Sequence, residues 1–571
     1  MNDGTAPSAW GAFLALVALI AASGVLGALA QRAVSRGSFL KGYFLGNRGL
    51  GAWAMALTAT VQSGGTFMGV PSLAYSYGWI VALFIASYMV VPITGFGVLG
   101  KRLAQLSRRT GAITVPDLLR ARFDSPALGL LSSLLIVGFL SVMLVAQFKP
   151  GAILMKLVLP GSGGLAFLSE IEDPGVAPAV PAATTVDAGA KTKAAPASPF
   201  DKAYYIGLAV FTLTVVGYTL AGGFLASVWT DLLQSILMWF GVVLLVGFTF
   251  ARLGGLEAAN RAAMEAASPA LMAGPGFAPP GQQYLPISLA VSFYFVWIFG
   301  GLGQPASLVR LMAAKDTATL RRSIVLLSVY NAFIYLPLIA VAIVARGIMP
   351  NLADTDEVVP RMAFWATRGL PGGTLVAGLV LAAPFGAVMA TVSSYLVVIT
   401  SGIVRDIYQR FVHHAANEMQ IRRLTYAVVL VVTCVAVAFS IRPVAYLQAL
   451  IIFATSCGAA SFVVPVMMAC YWRRASSASA LAAMLTGAGI VLALNAVGFA
   501  HGWLGLETQP IGPTATKFRP YYLGGFDPVM WGLAGSLAAG LIVGWLTPPP
   551  RAELIARLFD AETPEPGQPT A

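Results

Sequence analysis

The chain has 571 residues, of which 58% are hydrophobic and only 10% are charged. Soluble domains carry roughly 25% charged residues, so this composition excludes a water-soluble globule, a disordered chain and a fibrous repeat. The formal net charge of +12 comes from residues in short segments between apolar runs, which argues against a nucleic-acid-binding face. Long uncharged stretches recur from Ala9 to Leu546, and about 20 such residues cross a bilayer as a helix. The sequence therefore predicts a polytopic all-α membrane protein.

Thirteen apolar segments are long enough to be predicted membrane spans: 9–30, 48–74, 78–100, 126–147, 204–221, 227–251, 286–309, 323–345, 371–400, 424–441, 446–471, 478–499 and 528–546. An odd number of spans places the two termini on opposite sides. Alternate connections hold 22 of the 35 Lys and Arg residues, in the segments 32–48, 101–122, 310–322, 405–423, 473–474 and 551–557. Because basic loops stay in the cytoplasm, the N-terminus is predicted outside and the C-terminus inside.

Two long connections lie on the predicted outer side. Residues 160–203 are rich in Ala, Pro and Thr and are predicted to form a disordered insertion. Residues 252–285 are punctuated by Gly and Pro and are predicted to form a loop. The tail after Pro548 is short and polar, which leaves no room there for a soluble catalytic domain.

Glycine clusters interrupt two of the predicted spans, in the runs TATVQSGGTFMG (58–69) and WIFGGLGQP (297–305). Helix breakers at membrane depth expose backbone groups, which is tolerated where they line a cavity or bind something. A matched pair of interrupted spans indicates the binding site of a secondary transporter. Close glycine-mediated helix packing is the alternative explanation for either cluster alone.

Several segments in these spans and loops resemble the sodium:solute symporter family, in the right order over roughly residues 40–500. They are YFLGNR, SGGTFMGVPSLAYSYGW, GKRLAQLSRRTGAITVPDLLRARF, YTLAGGFLASVWTDLLQSILM, GLGQPASLVRLMAAKD and AAPFGAVMATVSSYLVVITSGIVRDIYQ. Within the family, the chain is similar to the sodium/pantothenate symporters, above all at LGKRLAQLSRRTGAITVPDLLRARF and at MPNLADTDEVVPRMA.

The resemblance implies a LeuT-like inverted repeat of five plus five helices, preceded by one helix and followed by two. The glycine clusters then fall in the first helix of each repeat. The resulting division is 1–47 for the first helix and loop, 48–251 for the first repeat with its insertion, 286–471 for the second repeat, 472–547 for two further helices and 548–571 for a cytoplasmic tail.

The resemblance also implies a sodium site between the first and eighth core helices, built from backbone carbonyls and two adjacent hydroxyls. It carries the carbonyls onto Ala59, Gln62 and Ala387, and the hydroxyl pair onto positions 390 and 391. Thr391 supplies one hydroxyl, but position 390 is Ala where the family usually has Ser or Thr.

The missing hydroxyl at Ala390 matters because a hydroxyl bonded to a charge contributes about 1.5–3 kcal/mol, or about 10–150-fold in affinity. Ser393 cannot easily replace this hydroxyl, because two residues along a helix lie about 200° around it. Ser394 is on the same face of the helix as Ala390 but lies one turn away. Three hypotheses stay open: sodium binds weakly, a water fills the gap, or the coupling ion is a proton.

Asp231 is the clearest acidic residue inside an apolar span, and an ionisable group at such a place is by default a functional candidate. A capping role near the cytoplasmic end of the helix is the alternative. The resemblance places Asp231 on the route by which the cation leaves toward the cytoplasm.

The substrate is expected at mid-membrane, between the two interruptions. Candidate residues there are Ser63, Gly64, Gly65 and Thr66 in the first break, Phe295, Trp297 and Gln304 around the second, and Gln448, which resembles a family position that contacts substrate. Core packing is the alternative for each aromatic. Neither interruption contains an Arg or Lys, so an anionic substrate would rely on backbone amides and the cation. Pantothenate fits, and so does a zwitterion or a neutral polyol.

Other classes of function lack their chemistry. His413 and His414 fall in a basic loop and His501 in an outer loop, so we expect no catalytic residues, no cofactor beyond a sodium ion and no enzyme. A transporter-like sensor is the remaining alternative, and it lacks an output domain. The sequence predicts a cation-coupled importer of a small solute in a bacterial inner membrane, with the lipid bilayer as its partner and an oligomeric state left open.

Overall fold

The computed structural model describes residues 9–34, 52–59, 63–161, 165–169, 202–266, 285–350, 352, 354–442, 447–506 and 518–560. Among these residues the chain is helical and contains no strand. The prediction at Gln62 and most of the predicted insertion at 160–203 lie outside the described residues.

The described residues of the first half of the chain form nine α-helices. They are α1 (Trp10–Val34), α2 (Ala52–Ala59), α3 (Val70–Tyr77), α4 (Ile80–Ala86), α5 (Lys101–Thr110), α6 (Val115–Phe123), α7 (Pro126–Val158), α8 (Lys202–Leu253) and α9 (Leu256–Ala266). Two π-helical segments, Gly65–Gly69 and Ile93–Gly100, lead into α3 and α5. The helix α9 lies in the segment predicted as a loop, and it packs against α12 (Thr317–Ile348).

The second half begins with α10 (Ile287–Gly303), α11 (Pro305–Met312) and α12. It continues with α13 (Val358–Thr367), α14 (Gly373–Ser401), α15 (Glu418–Ser440), α16 (Leu447–Tyr471), α17 (Ser477–Leu504), α18 (Pro528–Leu546) and α19 (Ala552–Phe559). A π-helical segment, Gly402–Val412, prolongs α14 toward the predicted inner side.

The membrane spans agree with the prediction from hydropathy. Eleven helical segments of the described residues are long and apolar enough to cross a bilayer, and the bent pair α10 and α11 makes twelve. The helix α8 contains two of these spans, Lys202–Leu220 and Ser227–Leu253. The further span predicted at 48–74 is divided into α2 and α3 around residues 60–62, which lie outside the described part of the chain.

The helix α14 lies at the centre of the bundle and packs against α1, α7 and α8. Its side chains from Val380 to Ser401 are buried all the way round, which is typical of a helix enclosed by protein rather than lipid. The positions predicted for the cation site, Ala387 to Thr391, therefore lie in the interior of the protein.

The tail after Pro548 contains the short helix α19. The backbone oxygen of Leu558 accepts a hydrogen bond from Arg109 Nη1 on α5 at 2.7 Å. The guanidinium of Arg122 on α6 lies 5.0 Å from the ring of Phe559, and Asp560 pairs with Arg473 at 2.9 Å.

Candidate functional site

The first break follows α2, and glycines let two other helices approach its backbone. The N–H of Gly64 donates a hydrogen bond of 2.8 Å to Oε1 of Gln147 on α7. A Cβ atom at Gly64 would lie 2.8 Å from Cγ of Pro150, and one at Gly69 would lie 2.3 Å from Oε1 of Gln448. A side chain at Gly64 would clash with Pro150 of α7, and one at Gly69 would force the Gln448 side chain to move, so both glycines allow a close approach here.

The second break falls at Gln304, between α10 and α11, which meet at a bend of 46°. Gln304 has extended backbone angles, and Pro305 has no N–H with which to continue the helix. The side chain of Gln304 donates through Nε2 to the hydroxyl of Tyr395 on α14 at 2.8 Å. Beside it lies a mainly apolar cavity lined by residues of α7 and α16, including Met143 and Gly458.

A column of aromatic rings connects the two breaks. The hydroxyl of Tyr335 lies 3.1 Å from Thr66 Oγ1, and its ring stacks on Tyr88 at 4.3 Å between centroids. Tyr88 in turn lies 5.0 Å from Trp297. The structure therefore joins Thr66 and Trp297 through this column, whereas Phe295 is half-buried and stacks on Phe299 of its own helix at 5.6 Å.

The predicted cation positions on α14 make bonds within their own helix. The hydroxyl of Thr391 donates to the carbonyl of Ala387 at 2.9 Å. Ser393 and Ser394 both donate to the carbonyl of Ala390, at 3.0 and 2.8 Å. Neither serine hydroxyl therefore lies where the side chain of residue 390 would have placed one.

Asp231 forms a buried ion pair with Arg310 of α11, which we call the inner pair. One of its carboxylate oxygens lies 2.5 Å from Arg310 Nη2, and the two side chains are 4% and 2% exposed. Arg310 also donates to Ser394 Oγ at 2.7 Å, and Ser227 Oγ lies 3.1 Å from Ser393 Oγ and 3.2 Å from Ser394 Oγ. Burial of Arg310 corrects its assignment to a loop, because it reaches into the bundle to meet Asp231.

A second ion pair lies on the side predicted to face outward, and we call it the outer pair. Nζ of Lys149 on α7 lies 2.7 Å from Asp356 and 3.4 Å from Asp354. Both acids belong to the connection between α12 and α13, where Thr355 also contacts Ser72 of α3 at 2.5 Å. Sequence reasoning missed this pair, because Lys149 follows the predicted end of its span and the acids look like ordinary loop residues.

The arrangement defines a class of protein. The helices α10 and α11 form one bent pair at Gln304, the glycine-rich segment after α2 is packed against Gln147 and Gln448, and two buried ion pairs join distant parts of the chain. Such breaks are the mark of secondary transporters, in which unwound backbone lines the binding site. No group of three or more His, Cys, Asp or Glu side chains suited to a metal site occurs in the part of the chain that the structure describes.

The comparisons with known proteins agree with this class. The model of the sodium:solute symporter family matches residues 43–168 and 198–487. The chain therefore belongs to the sodium:solute symporter family, as its motifs predicted.

Among its relatives, the sodium/pantothenate symporter of Haemophilus influenzae is 31% identical over 81% of this chain and 86% of its own. The Escherichia coli sodium/pantothenate symporter is 31% identical over 85% and 90%. The osmoregulated proline transporter OpuE of Bacillus subtilis is 27% identical over 90% and 91%.

The fold matches a solved structure described as the substrate-bound outward-open state of a Na+-coupled sialic acid symporter. The TM-score is 0.66 at 17% identity, covering 95% of this chain and 99% of the other. This likeness confirms the LeuT-like fold that the resemblance implied.

Proposed function

We propose that the chain imports a small organic acid, pantothenate or a close chemical relative, together with sodium by alternating access. The observation that carries the proposal is the bent pair α10 and α11, whose buried Gln304 and Arg310 bond to Tyr395 of α14 and Asp231 of α8. The names of the two relatives at 31% identity support pantothenate as the first compound to test. Their activity as transporters also supports a protein without catalytic residues.

The proposed cation site uses the carbonyls of Ala59, Gln62 and Ala387 and the hydroxyl of Thr391. Ala390 leaves one ligand short, and its carbonyl already accepts bonds from Ser393 and Ser394. Sodium coupling is supported by membership of the family, and proton coupling is the second candidate because of this gap. Asp231 is proposed to receive the cation on its way to the cytoplasm, since it lies beside the hydroxyl cluster of α14.

The proposed substrate site lies around Ser63, Gly64, Gly65 and Thr66, with Gln448 against the same segment. Trp297 and Gln304 would close it from the second break, whereas Phe295 is the weakest member because it packs on Phe299. Import requires the outer pair to open first and the inner pair second. Both pairs are formed in this structure.

The proposed topology places the N-terminus outside and the C-terminus in the cytoplasm of a bacterium, with repeats at 48–251 and 286–471. The distribution of Lys and Arg supports this orientation, and the bacterial relatives support the inner membrane. The orientation is tested with a cysteine introduced into α19. A thiol reagent that does not cross the membrane should label it in permeabilised cells and not in intact cells.

The proposed function is tested by uptake of labelled pantothenate into proteoliposomes. An inward sodium gradient should drive accumulation, while matched potassium and proton gradients should not. Accumulation driven only by the proton gradient would replace sodium by the proton as coupling ion. No uptake under any gradient would reject pantothenate and direct the assay to other small acids.

A further inference from the structure

Gln304 stands where the helix α11 begins, but its side chain does not cap that helix. Helix starts favour short polar residues whose side chains bond the first free N–H groups. The backbone oxygen of Gln304 accepts bonds from the N–H groups of Ser307 and Leu308, both at 3.1 Å, whereas its side chain makes no capping bond. The amide nitrogen donates instead to the hydroxyl of Tyr395 on α14 at 2.8 Å. The side chain therefore joins the second break to another helix.

Tyr395 offers a fixed acceptor for this bond. Its side chain is 1% exposed and belongs to the part of α14 that is buried all the way round. A buried tyrosine hydroxyl normally has a hydrogen-bond partner, because leaving it without one costs free energy. Separation of Gln304 from Tyr395 would leave that hydroxyl in the protein interior without this donor.

The other end of α11 is attached to α14 beside the same residue. Arg310 donates to Ser394 Oγ at 2.7 Å, in addition to its ion pair with Asp231 of α8. Ser394 and Tyr395 are neighbours in the chain. The eight residues Pro305–Met312 form a rod of about 12 Å. Two adjacent residues of α14 therefore hold this rod, one at its start and the other near its end.

A cavity adjoins the second break where it faces α7 and α16. Gln304 and Pro305 line this mainly apolar cavity together with Met143 and Thr455. The sulfur of Met143 lies 3.8 Å from the amide nitrogen of Gln304, and a thioether is only a weak acceptor. Of these two neighbours of the amide nitrogen, Tyr395 therefore holds it more strongly.

We propose that Tyr395 is a positioning residue of the transport cycle, whose hydroxyl holds Gln304 and so keeps the start of α11 against α14 while the inner side is closed. Opening toward the cytoplasm then requires this neutral bond to break as well as the inner pair. The inference rests on the alternating access of the proposed function. It assigns to Tyr395 the connection between the second break and the contacts that Arg310 makes at the other end of α11.

The test measures how often α11 leaves its neighbours, with no substrate present. Ser307 on α11 is 6% exposed, so a cysteine at this position should react with N-ethylmaleimide only when α11 moves. The reaction of Ser307→Cys is followed in the purified full-length protein by the mass of the labelled peptide, which distinguishes it from the native cysteines. Two further changes are made in this background. Tyr395→Phe removes the hydroxyl and keeps the ring, and Gln304→Met removes the donor and keeps most of the side-chain length.

Each of the two changes should raise the labelling rate by about 2–13-fold, the range for one ordinary hydrogen bond. The double variant should react no faster than the faster single variant, because both changes remove the same bond. Tyr218→Phe is the matched control, since it removes another buried hydroxyl that is bonded to α14, at the carbonyl of Met389 and 2.8 Å away. It should lower the unfolding temperature about as much as Tyr395→Phe does and leave the labelling rate unchanged.

Labelling of the Tyr395→Phe variant at the rate of Ser307→Cys alone overturns the inference, and so does a double variant in which the two increases multiply. An equal increase with Tyr218→Phe also overturns it, because a general loosening of the bundle would then expose position 307. If Tyr395→Phe does not fold, Gln304→Met breaks the same bond and decides by its labelling rate. Failure of the proposed function is read separately by uptake: a protein that imports no pantothenate but labels as described keeps this role for Tyr395.

Discussion

The outer and inner pairs each neutralise a buried basic side chain, but they differ in the carboxylates available to it. Lys149 has two acids to choose from, and one of them, Asp354, is 40% exposed. Arg310 has the single carboxylate of Asp231, surrounded by the hydroxyls of Ser227, Ser393 and Ser394 in the protein interior. In the outer pair, Lys149 can exchange the buried Asp356 for the partly exposed Asp354 when the connection between α12 and α13 moves. Both members of the inner pair are almost fully buried, which fits the proposed role of Asp231 in receiving the cation.

Removing the acid of the inner pair should have the largest effect. Asp231→Asn leaves the charge of Arg310 buried without a counter-ion, and breaking such a pair typically costs about 3–5 kcal/mol. We expect a lower thermal unfolding temperature and much slower transport, with little change in binding of substrate from outside. Both are measured on the reconstituted protein.

The control for that variant removes both charges. Asp231→Asn combined with Arg310→Gln should regain much of the stability, because no lone charge stays buried, but should still transport slowly. Normal turnover in the single variant would reject a role for Asp231 in cation release.

The outer pair offers a comparison within itself. Asp356 is 2% exposed and lies 2.7 Å from Lys149, so Asp356→Asn should destabilise the protein by about 3–5 kcal/mol. Asp354 is farther away and partly solvated, so Asp354→Asn should cost about 1 kcal/mol or less. Thermal unfolding of the two variants measures the difference. Equal losses would show that the two acids hold Lys149 together and that no exchange between them is available.

Ala390→Ser tests whether position 390 belongs to the proposed cation site. A new hydroxyl at this position should raise the sodium affinity by about 10–150-fold, seen as a lower sodium concentration for half-maximal uptake. Ala382→Ser, a buried alanine two turns earlier on α14, is the control and should have no such effect. An unchanged sodium dependence in Ala390→Ser would mean that the cation binds elsewhere.

The buried carboxylate of Asp527 is held by hydrogen bonds and not by an ion pair among the described residues. Asp527 caps α18 through the N–H of Val529 at 3.0 Å and accepts a bond from Ser456 of α16 at 3.2 Å. It forms no salt bridge among the described residues, although Arg519 and Tyr522 line the same cavity. Burial raises the pKa of Asp527 to about 6, above the ordinary value of about 4.

The sign of the resulting pH dependence follows from linkage. Because the folded state holds the proton of Asp527 more tightly than the unfolded state, the free energy of unfolding falls as pH rises from about 4 to 6. We expect the unfolding temperature to drop by a few degrees over that range, and Asp527→Asn to remove this part of the slope. An unchanged slope in the variant would assign the titration to another group.

Much of the architecture is predictable from the sequence because lipid imposes simple rules. Apolar length gives the spans, and the glycines of TATVQSGGTFMG and WIFGGLGQP give the breaks, since each rule depends on residues close in the chain. The structure places Gln448 beside Gly69 and Gln304 beside Tyr395, and the shared substrate site predicted for the two glutamines stays a prediction.

The two ion pairs could not be predicted in the same way. Lys149 and Arg310 lie near the predicted ends of apolar runs, where most basic residues reach into the aqueous boundary. Their partners Asp356 and Asp231 are 207 and 79 residues away in the chain. Only the folded structure, in which Lys149 reaches Asp356 and Arg310 reaches Asp231, shows that these charges are buried together.

The short helix α19 has a practical consequence for watching the protein work. The end of α19 and the residue after it contact Arg109 and Arg122 from the first half of the chain and Arg473 from the second. If the first half of the chain moves relative to the second, α19 must lose its contacts with one of the two halves. A fluorophore placed on the exposed Ala552, at the start of α19, would therefore report relative movement of the two halves from a residue that is not part of the proposed substrate site.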